Sequence, residues 1–313
     1  MSDGATAPCA IRTRALTALA LNRTPGFHFI GNFLGVQFDE IAPDHATVRI
    51  DTGPWGEDAN GWHDFSAVCL LADVALASVV RANLHPAQRL ATVSLHLQLT
   101  GAPLTGALTG EGRFGGFLAG AHGRQGLSRA TLTADARPAA FATGSFMVLD
   151  PPPGVTMHPV MNADHARITP LREAALSPEE RRILARVTAA AGGEPRGFLQ
   201  RLWGHAVIAG TDGATATLVN GPHVGNRVGH VQGGLQVGLA AAAARAALPG
   251  DWMLSGLAAC FVRPGEGRVL RARARVTYRG RQTAVVQTTI TGRDRRRLLE
   301  VQSTHARRGG LLE

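Results

Sequence analysis

Residues 226–244 read NRVGHVQGGLQVGLAAAAA, a short polar approach that ends in Gly233-Gly234 and is followed by at least ten residues without charge. A helix that is apolar on every face must be buried on every face, so this stretch predicts a central helix with a sheet wrapped around it. Its first turn offers free backbone N–H groups at the positive end of the helix dipole. Glycines there have two uses: they bring a ligand carbonyl within hydrogen-bonding distance of the helix tip, or they let the helix pack closely on its neighbours.

A second run of the same kind, residues 66–84 (SAVCLLADVALASVVRANL), carries one charge, Asp73, before Arg81. A lone carboxylate in an apolar helix needs partners and is uncommon without a role. The element order around the two helices repeats. Residues 11–21 have the spacing of a leading helix, and the alternation at 33–41 and 46–51 predicts a hairpin across Pro43-Asp44-His45. Strands are expected near 92–99, 104–114, 126–134 and 140–149, after which Asp150-Pro-Pro-Pro-Gly stops regular structure. Ser177-Pro178-Glu179-Glu180 then forms a capping box, opening a helix that runs to about Ala191. Further strands are expected near 202–208, 214–219, 254–262, 268–278, 284–291 and 298–306.

Individual residues support a duplication. Leu34-Gly35 matches Trp203-Gly204, Phe65-Ser66 falls on Gly233-Gly234, and Gly123-Arg124-Gln125 recurs as Gly280-Arg281-Gln282. The chain therefore reads as two copies of one fold, residues 1–150 and 177–313, joined by a linker at 151–176.

At 313 residues there is enough chain for two such cores. No apolar run approaches the roughly 18 residues of a membrane span. The N-terminus lacks the basic-then-apolar order of a secretion signal, so a cytoplasmic location is expected. Cys9, Cys69 and Cys260 suggest neither a disulfide framework nor a zinc site, and His63, His205, His223 and His230 have no ligand spacing. Neither a metal nor a cofactor is expected. All 32 basic residues are Arg and the formal net charge is +9, which suits an anionic ligand. Nucleic acid is not the expected partner, because the arginines are scattered and aromatic residues make up only 5%.

Each half resembles the hotdog-fold acyl-CoA thioesterases of the phenylacetate-pathway and 4-hydroxybenzoyl-CoA type, over about residues 27–149 and 198–307. The resemblance implies an α+β chain of two hotdog domains in tandem, each a long antiparallel sheet wrapped around a central helix, packed as an intrachain pseudo-dimer. The family motif is His-Gly-Gly before an apolar run, with an acid eight residues after the first Gly. Neither half holds all of it. The second keeps the glycines in Gln232-Gly233-Gly234 but has Ala241 at the acidic position; the first has Asp64-Phe65-Ser66 at the tip and keeps the acid, Asp73.

Because family members build their site across a dimer interface, the resemblance implies one composite site per chain. Gly233 and Asn226 would polarise the thioester carbonyl, Asp73 would act as base or nucleophile, and Thr92 would position water. Gln232 and Gly234 would lie against the substrate, and Arg279 and Arg281, beside the recurring Gly-Arg, would meet the CoA phosphates. Read from the residues alone, Asn226 equally holds a turn and the two arginines are equally solvated surface. The opposite combination, Ala241 and Ser255 at the Asp64-Phe65-Ser66 tip, implies a dead site. The implied activity is hydrolysis of an aliphatic or aryl acyl-CoA, in a homo-oligomer with no nucleic-acid or membrane partner. The alternative is a catalytically silent double hotdog that binds acyl-CoA or serves as an assembly module.

Overall fold

The computed structural model describes residues 7–24, 27–50, 52–120, 123–151, 153, 167–211 and 213–308. Most of the expected linker, residues 152 and 154–166, lies outside them. The first set of elements is α1 (Ala7–Asn22), α2 (Phe29–Leu34), β1 (Val36–Ile41), β2 (His45–Ile50), α3 (Phe65–Arg81), β3 (Arg89–Leu99), β4 (Leu108–Gly120), β5 (Gly123–Ala134) and β6 (Arg137–Leu149). The second is α4 (Pro178–Ala190), α5 (Phe198–Trp203), β7 (Ala206–Ala209), β8 (Gly213–Val219), α6 (Gly233–Ala246), β9 (Trp252–Phe261), β10 (Val269–Arg279), β11 (Thr283–Thr291) and β12 (Arg297–Arg307).

The twelve strands form one antiparallel sheet in the order β1-β2-β4-β5-β6-β3-β9-β12-β11-β10-β8-β7. The halves meet at β3 and β9, where Ser94 pairs with Cys260 and Gln98 with Gly256. Two strand edges that would otherwise be exposed are thereby paired. Inside the curved sheet, α3 lies against β2, β4, β5 and β6, while α6 lies against β8, β10 and β11. Leu70, Leu71, Leu76, Leu235 and Leu239 are fully buried. Each such side chain contributes about 1.5–3 kcal/mol.

Two short helices take the first residues of expected strands. The backbone before Gly35 and before Gly204 is helical, as α2 and α5, so the strand expected at 202–208 shortens to β7. Both helices end on a left-handed glycine, Gly35 at φ 68° and Gly204 at φ 66°. Here a Cβ would be strained. The loops before the central helices also repeat: the Asp58 carboxylate accepts from Asn60 and Trp62 N–H, and the Asn226 amide oxygen accepts from Val228 and His230 N–H.

The central helices touch directly. A Cβ on Gly234 would stand 2.5 Å from the Leu70 backbone, and one on Gly238 would stand 2.7 Å from Ser66 Cα. The glycines of α6 therefore pack helix on helix, and the crossing leaves no room for a side chain. Gly233 is different: a Cβ there would meet Asp73 Oδ2 at 3.1 Å and the Phe261 ring at 3.4 Å, both of them side chains. Gly234→Ala should accordingly cost about 1–3 kcal/mol by overpacking against fixed backbone. Gly233→Ala should leave stability nearly unchanged. Urea denaturation of the two variants beside the parent protein measures the difference.

Candidate active site

Asp73 sits midway along α3 and is 7% exposed. Its Oδ1 accepts from Thr92 Oγ1 at 3.0 Å, and its Oδ2 accepts from Gln232 Nε2 at 2.8 Å. Gly234 N–H, in the first turn of α6, also donates to this carboxylate. Thr92 belongs to the first half, whereas Gln232 and Gly234 belong to the second. Gln232 is held at its other end too, because its Oε1 accepts from Leu235 N–H at 3.0 Å and caps α6. That bond fixes which way the amide points. The Gln232 N–H groups are left to face Asp73.

Burial is the largest influence on Asp73 and raises its pKa from 3.8 to about 6; the hydrogen bonds from Thr92, Gln232 and Gly234 oppose it. The site opens onto a cavity of about 460 Å³ that is bounded by both halves. Asp73, Thr92, Gly233 and Asn226 all line it, as does Gln232. Gly233 N–H lies in the first turn of α6, where the helix itself offers no acceptor.

The side-chain oxygen of Asn226 accepts in its own turn, as Asp58 does in the first half, which turns the amide N–H of this cavity-lining residue into the group that a carbonyl would meet. Two expected roles are corrected. Gly234 faces Leu70 and bonds Asp73, which makes it a packing residue and not a substrate contact. Arg279 and Arg281 stand at the wrong end of the sheet: Arg279 pairs with Ala284, Ala284 with His305, and His305 with Leu254, while the cavity lies beyond Phe261 at the other end of β9. Seven residues of strand separate the two ends, about 23 Å. Gly280-Arg281-Gln282 sits in the β10–β11 connection, whereas Gly123-Arg124-Gln125 opens β5, where Gln125 pairs with Met147 and Met147 with Ala91 of the cavity wall.

The arginines that do line the cavity are Arg81, Arg89, Arg227 and Arg263. Arg81 donates to the Gln88 and Pro86 carbonyls, Arg89 to the Asp150 carbonyl and Arg263 to the Arg297 carbonyl. Backbone carbonyls hold these guanidinium groups without cancelling their charge. Sequence reasoning missed them because no motif contains them, although Arg227 stands beside Asn226 in the polar approach. It also missed Gln236, whose Oε1 is buried without a partner among the described residues.

The opposite combination has different contacts. Ala241 supplies no acid, and Ser255 Oγ donates to Thr304 Oγ1 at 3.0 Å. Asp64 accepts from Ser66 N–H and from Trp203 Nε1 at 2.9 Å, with its pKa raised by burial. The Arg245 guanidinium lies 4.5 Å over the Phe65 ring. Among the described residues there is no cluster of three or more His, Cys, Asp or Glu that could hold a metal, and no helix is long and apolar enough to cross a membrane.

Comparison with known proteins adds to this geometry. Residues 222–306 match the acyl-CoA thioesterase N-terminal domain family. No curated protein matches the chain. A candidate thioesterase from Novosphingobium aromaticivorans is 13% identical, with 88% of this chain and 99% of that chain covered at a TM-score of 0.53. A candidate oleoyl thioesterase from Lactobacillus plantarum is 12% identical over 90% of this chain and 100% of that one, at 0.52. A hot dog fold protein of unknown function from Alicyclobacillus acidocaldarius is 12% identical over 91% and 99%, at 0.53. The fold is that of a tandem hotdog protein. Within it, part of the C-terminal half matches the acyl-CoA thioesterase domain family.

The buried carboxylate sets a stability prediction. Below its unfolded value Asp73 is protonated in both states and burial costs nothing; as pH rises through about 6 the folded protein must hold the charge, and stability is lost. Asparagine fits the same bonds, with its oxygen toward Gln232 and Gly234 and its amide toward Thr92 Oγ1. Asp73→Asn should therefore melt higher than the parent at pH 8, by on the order of 3 kcal/mol, and the two should converge below about pH 4. Melting curves across that range test the sign.

Proposed function

We propose that this protein hydrolyses an acyl-CoA thioester at one composite site between its two halves. The observation that carries the proposal is the contact of Asp73 with Gln232 at 2.8 Å, which joins the acid of one hotdog to the helix tip of the other inside the cavity.

The thioester carbonyl oxygen meets Gly233 N–H at the positive end of α6, where developing negative charge is favoured. Asp73 acts as the general base. Both of its oxygens are tied down by hydrogen bonds, which suits it to hold a water better than to attack carbon. A carboxyl whose pKa is about 6 is largely ionised at neutral pH yet still basic enough to take a proton. Thr92 Oγ1, 3.0 Å from Asp73, orients that water. Attack gives a tetrahedral intermediate, the water proton passes to Asp73, the C–S bond breaks, and the proton leaves on the CoA sulfur. Arg81, Arg89, Arg227 and Arg263 present the positive charge that CoA phosphates require.

Release of free thiol from a panel of aliphatic and aryl acyl-CoAs tests the activity. Asp73→Asn should lower turnover by roughly a hundredfold or more, because the amide accepts no proton. Ala241→Ser, at the matching position of the other half, should alter turnover little. In the parent protein kcat should rise with pH along a single ionisation near 6 and then level off. Unchanged turnover in Asp73→Asn would place the chemistry elsewhere.

A further inference from the structure

His28 stands in the wall of the cavity, 9% exposed, just before α2. Its Nδ1 accepts from Gly31 N–H at 3.1 Å and caps the helix. An imidazole nitrogen that accepts carries no proton, so the neutral ring holds its hydrogen on Nε2. Burial, with help from the nearby charge of Arg227, lowers the pKa of the ring to about 3, and the neutral form persists throughout the working range. The ring is placed firmly. One face stacks on Phe27 with centroids 4.2 Å apart, and Phe27 meets Phe38 edge-on at 5.7 Å. Gly31 is required for this, since a Cβ there would lie 1.7 Å from the Phe27 ring.

With one face on Phe27 and the Nδ1 edge on α2, the opposite face and the Nε2 edge are the parts of the ring left for the cavity. Among the described residues no hydrogen bond from Nε2 to another side chain is formed. Phe27, Phe38, Val74, Ala77 and Phe146 form apolar parts of the same cavity, whose lining also holds Ser78, Arg81 and Arg227. A fixed donor there suits a ligand that brings an acceptor.

We propose that His28 is a specificity-determining residue: its Nε2–H donates to an oxygen carried by the acyl group, so that a hydroxyacyl or oxoacyl thioester is preferred over the unsubstituted chain. This rests on the cavity being the thioester site. The bond favours the oxygenated chain, and one such bond is worth roughly tenfold.

The test compares hexanoyl-, 3-hydroxyhexanoyl-, 3-oxohexanoyl- and 6-hydroxyhexanoyl-CoA as substrates, and their non-hydrolysable thioethers as ligands by calorimetry. The parent protein should favour at least one oxygenated member about tenfold in kcat/KM, chiefly through KM, and in Kd. His28→Asn keeps a good N-cap acceptor for Gly31 and withdraws the ring N–H. It should abolish the preference while leaving hexanoyl-CoA hydrolysis within about twofold, less than a single hydrogen bond is worth, with an unchanged melting temperature showing that the fold is intact. Equal affinity of the parent for all four thioethers overturns the inference. So does an equal loss on every member in His28→Asn, which would assign the donor to the pantetheine amides shared by all four. If no thioester is cleaved yet the thioethers keep the tenfold order, the hydrolase reading fails and this one stands.

Discussion

The contact between α3 and α6 governs what this molecule can do. The helices cross so closely that Gly234 and Gly238 of one lie against the backbone of Leu70 and Ser66 of the other. Asp73 is carried on α3, and the first turn of α6 is what it faces. The spacing of acid and helix tip is thus set by two packed backbones and not by long side chains. Buried helix contacts shift very little, and polar groups held this way need no rearrangement when charge develops. The sheet contributes Thr92 to the same point, because β3 is the strand at which the two halves join.

Duplication supplied two helix tips, and the chain treats them in opposite ways. The turns leading into them are alike: Asp58 and Asn226 each bind the N–H groups two and four residues on, and Gly61 and Gly229 share positive φ values of 78° and 80°. The next positions diverge. Asp64 and Gln232 are both N-caps, but Asp64 is bound by Trp203 whereas Gln232 reaches across to Asp73. One tip is stoppered by indole and guanidinium, the other left open to a cavity. A carboxylate at the open tip would repel a negative charge developing there; a neutral amide does not.

Much of this was legible in the residues. Two apolar helices and a repeated element order could be read directly, while the shared site came from the resemblance to the hotdog thioesterases; Asp73, Thr92 and Gly233 line one cavity. What stayed hidden has identifiable causes. Helices α2 and α5 span six residues each, too few for a 3.6-residue period to show against strand-like apolar runs. The Gly-Arg-Gln repeat was a true mark of duplication, but its second copy sits between β10 and β11, remote from Phe261. Gln232 was noticed as a change from His, yet its bond to Asp73 spans 159 positions and depends on the helix crossing. His28 gave no pattern at all, since its tautomer is decided by one backbone N–H in a helix that could not be foreseen.

The junction of β3 with β9 has a further consequence. In a pair of separate subunits, a site made from both would exist only as far as the subunits are associated, and its amount would depend on their concentration. Here the two contributing halves lie on one backbone, so bringing Asp73 to the α6 tip is a folding event of a single molecule. Dilution cannot take Asp73 away from the helix end it faces, and each half is released from the requirement that it fit an identical copy of itself.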